Sequence, residues 1–274
     1  MNTISLPPSP PAPDDQMRYS FVEMLFALAI SQIAIHAADL ASTTGTTWQM
    51  LPATAHLILS FTVIITSWVG WRNSQAPGIK RQIQSIFSKR MVGLIVDVAL
   101  VIIYFILVRS VEIQQQNGAT VFSQPSSHPD AKWICVIFFI YLLWDFFYDA
   151  LQQDALKASD GKTNSFQLIR VMLASGWASA LSLLMAYVVL SYSQQVQTSL
   201  TVVFFDAALI CVILIFRVLK CFERDFAAIL HVEACPAFLN VRPPIPNYKL
   251  LTWLLIVLYG LFLGVGIFSD IVSH

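Results

Sequence analysis

The chain has 274 residues, of which 57% are hydrophobic and only 12% charged. Soluble domains carry about 25% charged residues. The deficit, a mean hydropathy of +0.67 and long apolar runs exclude an ordinary soluble domain and point to an integral membrane protein. Its 16 basic and 16 acidic residues balance, so no excess of either sign marks a nucleic-acid partner, and none is expected.

Residues 1–16, MNTISLPPSPPAPDDQ, lack the basic start of a secretory signal and carry Pro7, Pro8, Pro10, Pro11 and Pro13. A disordered or polyproline-like cytoplasmic tail over 1–17 is expected, with no cleavable signal peptide. Seven apolar runs follow, at about 19–41, 52–72, 91–110, 132–151, 167–192, 199–220 and 249–270. Each is long enough for a helix to cross about 30 Å of hydrocarbon. They are continuously apolar, whereas barrel strands alternate over short segments. The expected fold is all-α: a polytopic bundle of seven transmembrane helices forming one domain over 18–274.

Between the spans, 111–131 is polar and turn-rich. The segment 221–248 is the largest cytoplasmic connection. Its first part, CFERDFAAILHVE, either extends the sixth helix or lies along the membrane interface. Pro243, Pro244 and Pro246 then break it. Among the 16 basic residues, all but Arg109 and Lys132 fall on one side of this arrangement. The positive-inside rule then puts the N-terminus in the cytoplasm and the C-terminus outside, as a multi-pass protein of the plasma (inner) membrane. Cys135 and Cys211 lie in spans, while Cys221 and Cys235 lie on the reducing side, so no disulfide framework is expected. Small residues at Gly260, Gly264 and Gly266, and from Ala174 to Ala180, mark helix faces suited to close packing within a bundle or between copies.

The first span, RYSFVEMLFALAISQIAIHAADL, is unusually polar for lipid. At about 100° per residue, Leu28, Gln32, Ile35 and Asp39 share one side, with His36 at its border. The far side carries Glu23 and a run of alanines. A pore-lining helix has this alternation, with Leu28 a constriction, Gln32 a polar ring and Asp39 a cation attractor at the outer mouth. A buried helix whose polar groups bond to neighbours has it too.

Acidic groups inside spans are costly and are the other signal. Asp97 and Asp145 lie about two turns in from the cytoplasmic ends of the third and fourth spans. Asp149 follows Asp145 by four residues and shares its helix face. Arg72, Arg170 and Arg217 lie at the same end. Together these six residues define an inner polar cluster. It is either a proton- or cation-binding site or a set of ion pairs tying helices together. Asp145-x-x-x-Asp149 is also similar to the Asp-rich magnesium motif of membrane prenyltransferases, but those clamp a diphosphate with two such motifs and one is present. His231, Glu233 and Cys235, with Cys221, fit no standard metal spacing. No metal or cofactor is expected. The chain lacks the His-Glu-x-x-His, Gly-x-Ser-x-Gly and Walker patterns, which argues against familiar hydrolases and ATPases.

The first two spans resemble the bacterial relatives of the endolysosomal TMEM-type potassium channel. That family carries Arg-x-x-x-Phe-Ser-Asp on its first helix. Here Arg18-Tyr-Ser-Phe21-Val-Glu23 is one residue shorter from Arg to Phe, with Val22 for Ser and Glu23 for Asp. The second span has Ser60-Phe61 and then Trp68, with Trp71 and Arg72 where the family usually continues with His. The resemblance covers about 18–110, and the family has six spans per unit. It implies an oligomer whose first helices surround a cation pathway, with Leu28 at the gate position.

The leading expectation is thus an oligomeric cation-permeable channel in the bilayer, a homo-oligomer, lined by the first helix. The alternatives are a membrane scaffold or sensor subunit that docks a cytoplasmic protein through its Pro-rich tail and 221–248, or a proton-coupled transporter or lipid-active enzyme using Asp97, Asp145 and Asp149.

Overall fold

The structure, a computed structural model, describes residues 13–43, 46–74, 89–110, 113–116, 119–122, 126–160, 165–194, 198–229 and 248–273. Their helices fall where the apolar runs predict them: α1 (Pro13–Ser42), α2 (Thr47–Ser74), α3 (Lys89–Arg109), α4 (His128–Asp160), α5 (Ser165–Tyr192), α6 (Ser199–Ile229) and α7 (Tyr248–Ser273). Among the described residues, five helical stretches are long and apolar enough to cross a membrane: Ser20–Ser42, Thr47–Arg72, Met91–Arg109, Ser199–Phe222 and Lys249–Val272. α5 adds the shorter apolar stretch Gly176–Tyr192. Such a set of helices describes a membrane-embedded protein.

One boundary and one connection differ from expectation, and one open alternative is resolved. α1 begins at Pro13, inside the predicted 1–17 tail; proline fits the first turn, where its missing N–H has no partner to lose. α6 runs on to Ile229, so the start of the 221–248 segment extends the helix. The 111–131 connection contains a two-stranded antiparallel hairpin, β1 (Ile113–Gln116) and β2 (Ala119–Phe122), with Gln116 opposite Ala119. Asn117-Gly118 lies between the strands, the pair most favoured in two-residue hairpin loops.

Local signals set several helix starts. Before α2, the Gln49 side chain accepts the Thr46 backbone N–H at 3.1 Å, the returning half of a capping box. Before α6, the Thr198 hydroxyl accepts the Thr201 N–H at 3.2 Å, as an N-cap does. Asp130 stands in the first turn of α4, where a carboxylate is favoured by the helix dipole.

α6 is the central helix. It packs against α2, α5 and α7 and touches α4. Val202, Phe205, Leu209, Val212, Ile215, Phe216 and Leu219 are all buried, as expected for a helix covered by several others. α1 rests on α2 and α3, α3 on α4, and α4 on α5. α7 is peripheral: Leu250, Trp253, Val257, Leu261 and Phe268 are exposed. The small-residue faces are used differently. Gly176 of α5 lies under Phe146 and Leu142 of α4, so that a Cβ there would come within 2.7 Å of the Phe146 ring. Gly266 is covered by Phe205 in the same way, whereas a Cβ at Gly260 or Gly264 would meet nothing within 4 Å among the described residues beyond its own helix.

Candidate functional site: a divided polar interior

α1 buries a stripe the sequence did not single out. Val22, Phe26, Ala29 and Ile33 are buried, and the Phe26 ring lies 6.1 Å from Trp71 of α2 and 6.0 Å from Tyr104 of α3. Both faces read from the sequence are therefore turned away from this contact. Leu28 is 49% and Ile35 54% exposed. Ala27, Ala34, Ala37 and Ala41 are exposed as well. Gln32 is half-buried and its amide lies 3.1 Å from His36 Nε2. His36 Nδ1 is 4.0 Å from the Asp39 carboxylate, so Gln32, His36 and Asp39 form a polar file along the helix. The Asp39 backbone carbonyl accepts the Ser42 and Thr43 hydroxyls, closing the helix end.

Within the first-helix motif, Phe21 is exposed and Glu23 accepts the Arg72 guanidinium at 2.8 Å, both groups being largely exposed. Arg72 also lies over the Trp68 ring, 5.7 Å from its centroid. This pair ties the start of α1 to the end of α2 and helps set the rotation of α1. The Arg18 side chain lies outside the described residues.

Four residues of the expected inner cluster, Asp97, Asp145, Arg72 and Arg217, have described side chains, and their contacts run to different partners. Asp145 of α4 is held by Lys220 of α6, whose Nζ is 2.9 Å from both carboxylate oxygens. It also accepts the Ser179 hydroxyl of α5 at 2.5 Å. Asp97 is buried and accepts the Trp71 indole N–H at 3.4 Å. Arg72 is engaged by Glu23. Arg217 lies over two rings, Phe216 at 5.1 Å and Tyr141 at 6.0 Å. Tyr141 and Phe216 are themselves stacked, 5.3 Å apart at an interplanar angle of 7°. The Asp149 and Arg170 side chains lie outside the described residues, as do His231, Glu233 and Cys235.

The most buried polar constellation was not predicted. At the end of the bundle holding the α1–α2 and α3–α4 connections, His56 Nδ1 of α2 is 2.7 Å from Asp130 Oδ2 of α4, with both side chains 2% exposed. Ser60 lies 3.4 Å from His56 Nε2, and Ser110 at the end of α3 donates to Asp130 Oδ1 at 3.3 Å. The connectivity Asp130–His56–Ser60 is that of a relay. Ser60, however, is fully buried, so its hydroxyl is not placed to attack a substrate arriving from water or lipid. The arrangement instead joins three helices and can hold or pass a proton. His56, Ser60 and Ser67 lie at helical spacing on one buried face of α2, a pattern readable in the sequence. Further along that face Ser67 and Tyr141 hydroxyls are 2.5 Å apart, and Tyr141 and Tyr104 hydroxyls 2.8 Å apart.

These features define a class: a membrane-embedded helical bundle whose interior polar groups are divided between two ends, with a half-polar first helix left largely uncovered. Searches against protein-family models, curated proteins and solved structures find no match to the chain.

Proposed function

We propose that the protein is a cation-permeable channel that works as a homo-oligomer, with α1 lining the pathway between copies. One observation carries this reading. α1 is long and apolar enough to cross a membrane, yet beyond its buried stripe it leaves Leu28 and Ile35 exposed and Gln32 and Asp39 only part-covered. Lipid penalises a carboxylate and an amide on an uncovered helix face. A water-filled pathway between copies removes that penalty. Leu28 and Ile35 then supply apolar constrictions, Gln32 a polar ring and Asp39 a ring of negative charge. The similarity of Arg18–Glu23 and of the second span to the TMEM-type potassium channel relatives supports the same reading, and the Glu23–Arg72 pair supplies a device for holding α1 in register.

The test is reconstitution of the full chain in liposomes and planar bilayers. Cation current is expected, and Asp39→Asn should lower conductance. The drop should be largest at low salt, because a charged ring acts over about 10 Å at 0.1 M ionic strength and less at higher salt. A well-folded oligomer that passes no current across voltage and pH would sink the proposal. The buried His56–Asp130 pair favours a second reading, proton-linked transport within a single bundle. That reading predicts proton flux from a monomeric preparation, abolished by Asp130→Asn.

A further inference from the structure

We infer that the cleft between α2, α4 and α6 is a binding site for a weakly hydrated monovalent anion of the chloride class, held by Arg217 and Ser67, with Tyr141 orienting the Ser67 hydroxyl. The cleft encloses about 220 Å³ of empty space including its open mouth, and its centre admits a water-sized particle. Its walls are otherwise mostly apolar, with Ile137, Ile213 and Phe216 among them.

Three observations specify the charge of the occupant. First, Arg217 has no carboxylate partner among the described residues, and its Nε is buried without a hydrogen bond. Phe216 and Tyr141 offset part of its charge through their ring faces. A part-buried guanidinium among apolar side chains still calls for a counter-charge. Lys220, which approaches the same Phe216 ring at 5.7 Å, is paired with Asp145. Among the described residues the local excess is therefore the single positive charge of Arg217.

Second, the cleft holds hydroxyls that can turn toward an anion. Ser67 and Tyr141 share one hydrogen bond and Tyr141 and Tyr104 another, and either oxygen can be the donor in each. When Tyr104 donates to Tyr141 and Tyr141 to Ser67, the Ser67 O–H is left to face the cleft. The remaining polar side chain lining it, Thr66, already donates to backbone carbonyls of its own helix. The cleft thus offers a cation and a hydroxyl donor, with no carboxylate in its lining.

Third, size and wall chemistry select among anions. A cleft with a water-sized centre and apolar walls suits an ion that sheds water readily. Phosphate and sulfate are larger and carry more charge to desolvate. Gly70 leaves the space on α2 where the guanidinium lies. The inference concerns binding and does not depend on α1 lining a pathway.

The test compares thermal unfolding of the detergent-solubilised full chain in sodium bromide and sodium gluconate at equal sodium concentration. Bromide anomalous scattering from crystals of the same protein locates the ion. A saturable rise in Tm with bromide is expected, with an anomalous peak between Arg217 and Ser67. Arg217→Gln should abolish the rise. Ser67→Ala should weaken the apparent bromide affinity by about ten-fold, the worth of one hydrogen bond to a charged group, and Tyr141→Phe, which removes the donor that turns Ser67 toward the cleft, should weaken it by less; they carry the test if Arg217→Gln does not fold. Equal stability in the two salts overturns the proposal, as does a bromide effect undiminished in both hydroxyl variants. Stabilisation by nanodiscs containing phosphatidylglycerol, with none from bromide, would overturn it in favour of a lipid headgroup.

Discussion

Removing either partner of the His56–Asp130 pair should be among the most destabilising single changes in this protein. At 2.7 Å and an effective dielectric of about 20, the gross attraction of a charged pair is roughly 6 kcal/mol. Desolvation offsets much of that, and replacing the whole pair with apolar groups costs far less than breaking it. Breaking it is different. His56→Ala removes the 2.7 Å partner of a buried carboxylate, and Asp130→Ala removes that of a buried imidazole. Each should cost about 3–5 kcal/mol, the range for an uncompensated buried charge. The double variant should cost less than the sum, with a coupling energy of about 2 kcal/mol or more. Asp130→Asn keeps the shape and a hydrogen bond, and should still lose most of the stability if the pair is ionic. The assay is reversible unfolding in mixed micelles, followed by circular dichroism. Ordinary hydrogen bonds between membrane helices are worth about 0.6 kcal/mol on average. Single variants that cost no more than that, with additive effects, would refute the claim that this is a charge-bearing tie.

Two further outcomes follow from the packing of small and surface residues. Gly176→Val should destabilise the fold by about 1–3 kcal/mol, since the new side chain meets Phe146 and Leu142. Gly264→Val should leave unfolding of the single chain within about 0.5 kcal/mol, because no described residue beyond its own helix lies near it; the same unfolding measurement reads both. Glu23→Arg in the exposed pair with Arg72 should lower stability by no more than about 1 kcal/mol. The exchange Glu23→Arg with Arg72→Glu should recover most of that loss, and a double-mutant cycle reads the recovery.

The helices were legible in the sequence because each is a continuous apolar run, and the observed ends lie within a few residues of the expected ones for most of them. The hairpin was missed because its strands are four residues each and the first is mostly glutamine; Asn117-Gly118 was the available signal. The rotation of α1 was only half legible. Periodicity separated two unlike faces, but the packed stripe of Val22, Phe26, Ala29 and Ile33 is set by the Trp71 and Tyr104 rings waiting on other helices. The inner cluster shows the same limit. Charge placement at the helix ends was visible, whereas pairing depends on reach and rotation. Lys220, one turn beyond Arg217 (three residues on), takes Asp145, while Arg217 turns to the rings. His56 and Asp130 were overlooked because they lie 74 residues apart in sequence. A lone histidine in an apolar run and an acid in a helix's first turn each have ordinary explanations. Only the contact between them shows otherwise.

Gly70 has a consequence for how this chain can vary. A Cβ at that position would fall 2.8 Å from Arg217 Cζ, so a side chain at 70 and the present placement of the guanidinium cannot coexist. The arginine is long and can swing aside, so a residue larger than glycine at 70 would move the charge rather than forbid it. Glycine at 70 therefore goes with this particular position of the guanidinium against α2. The polar chemistry of the cleft is in that sense written twice, once in the residue that carries the charge and once in the residue that makes no contact of its own.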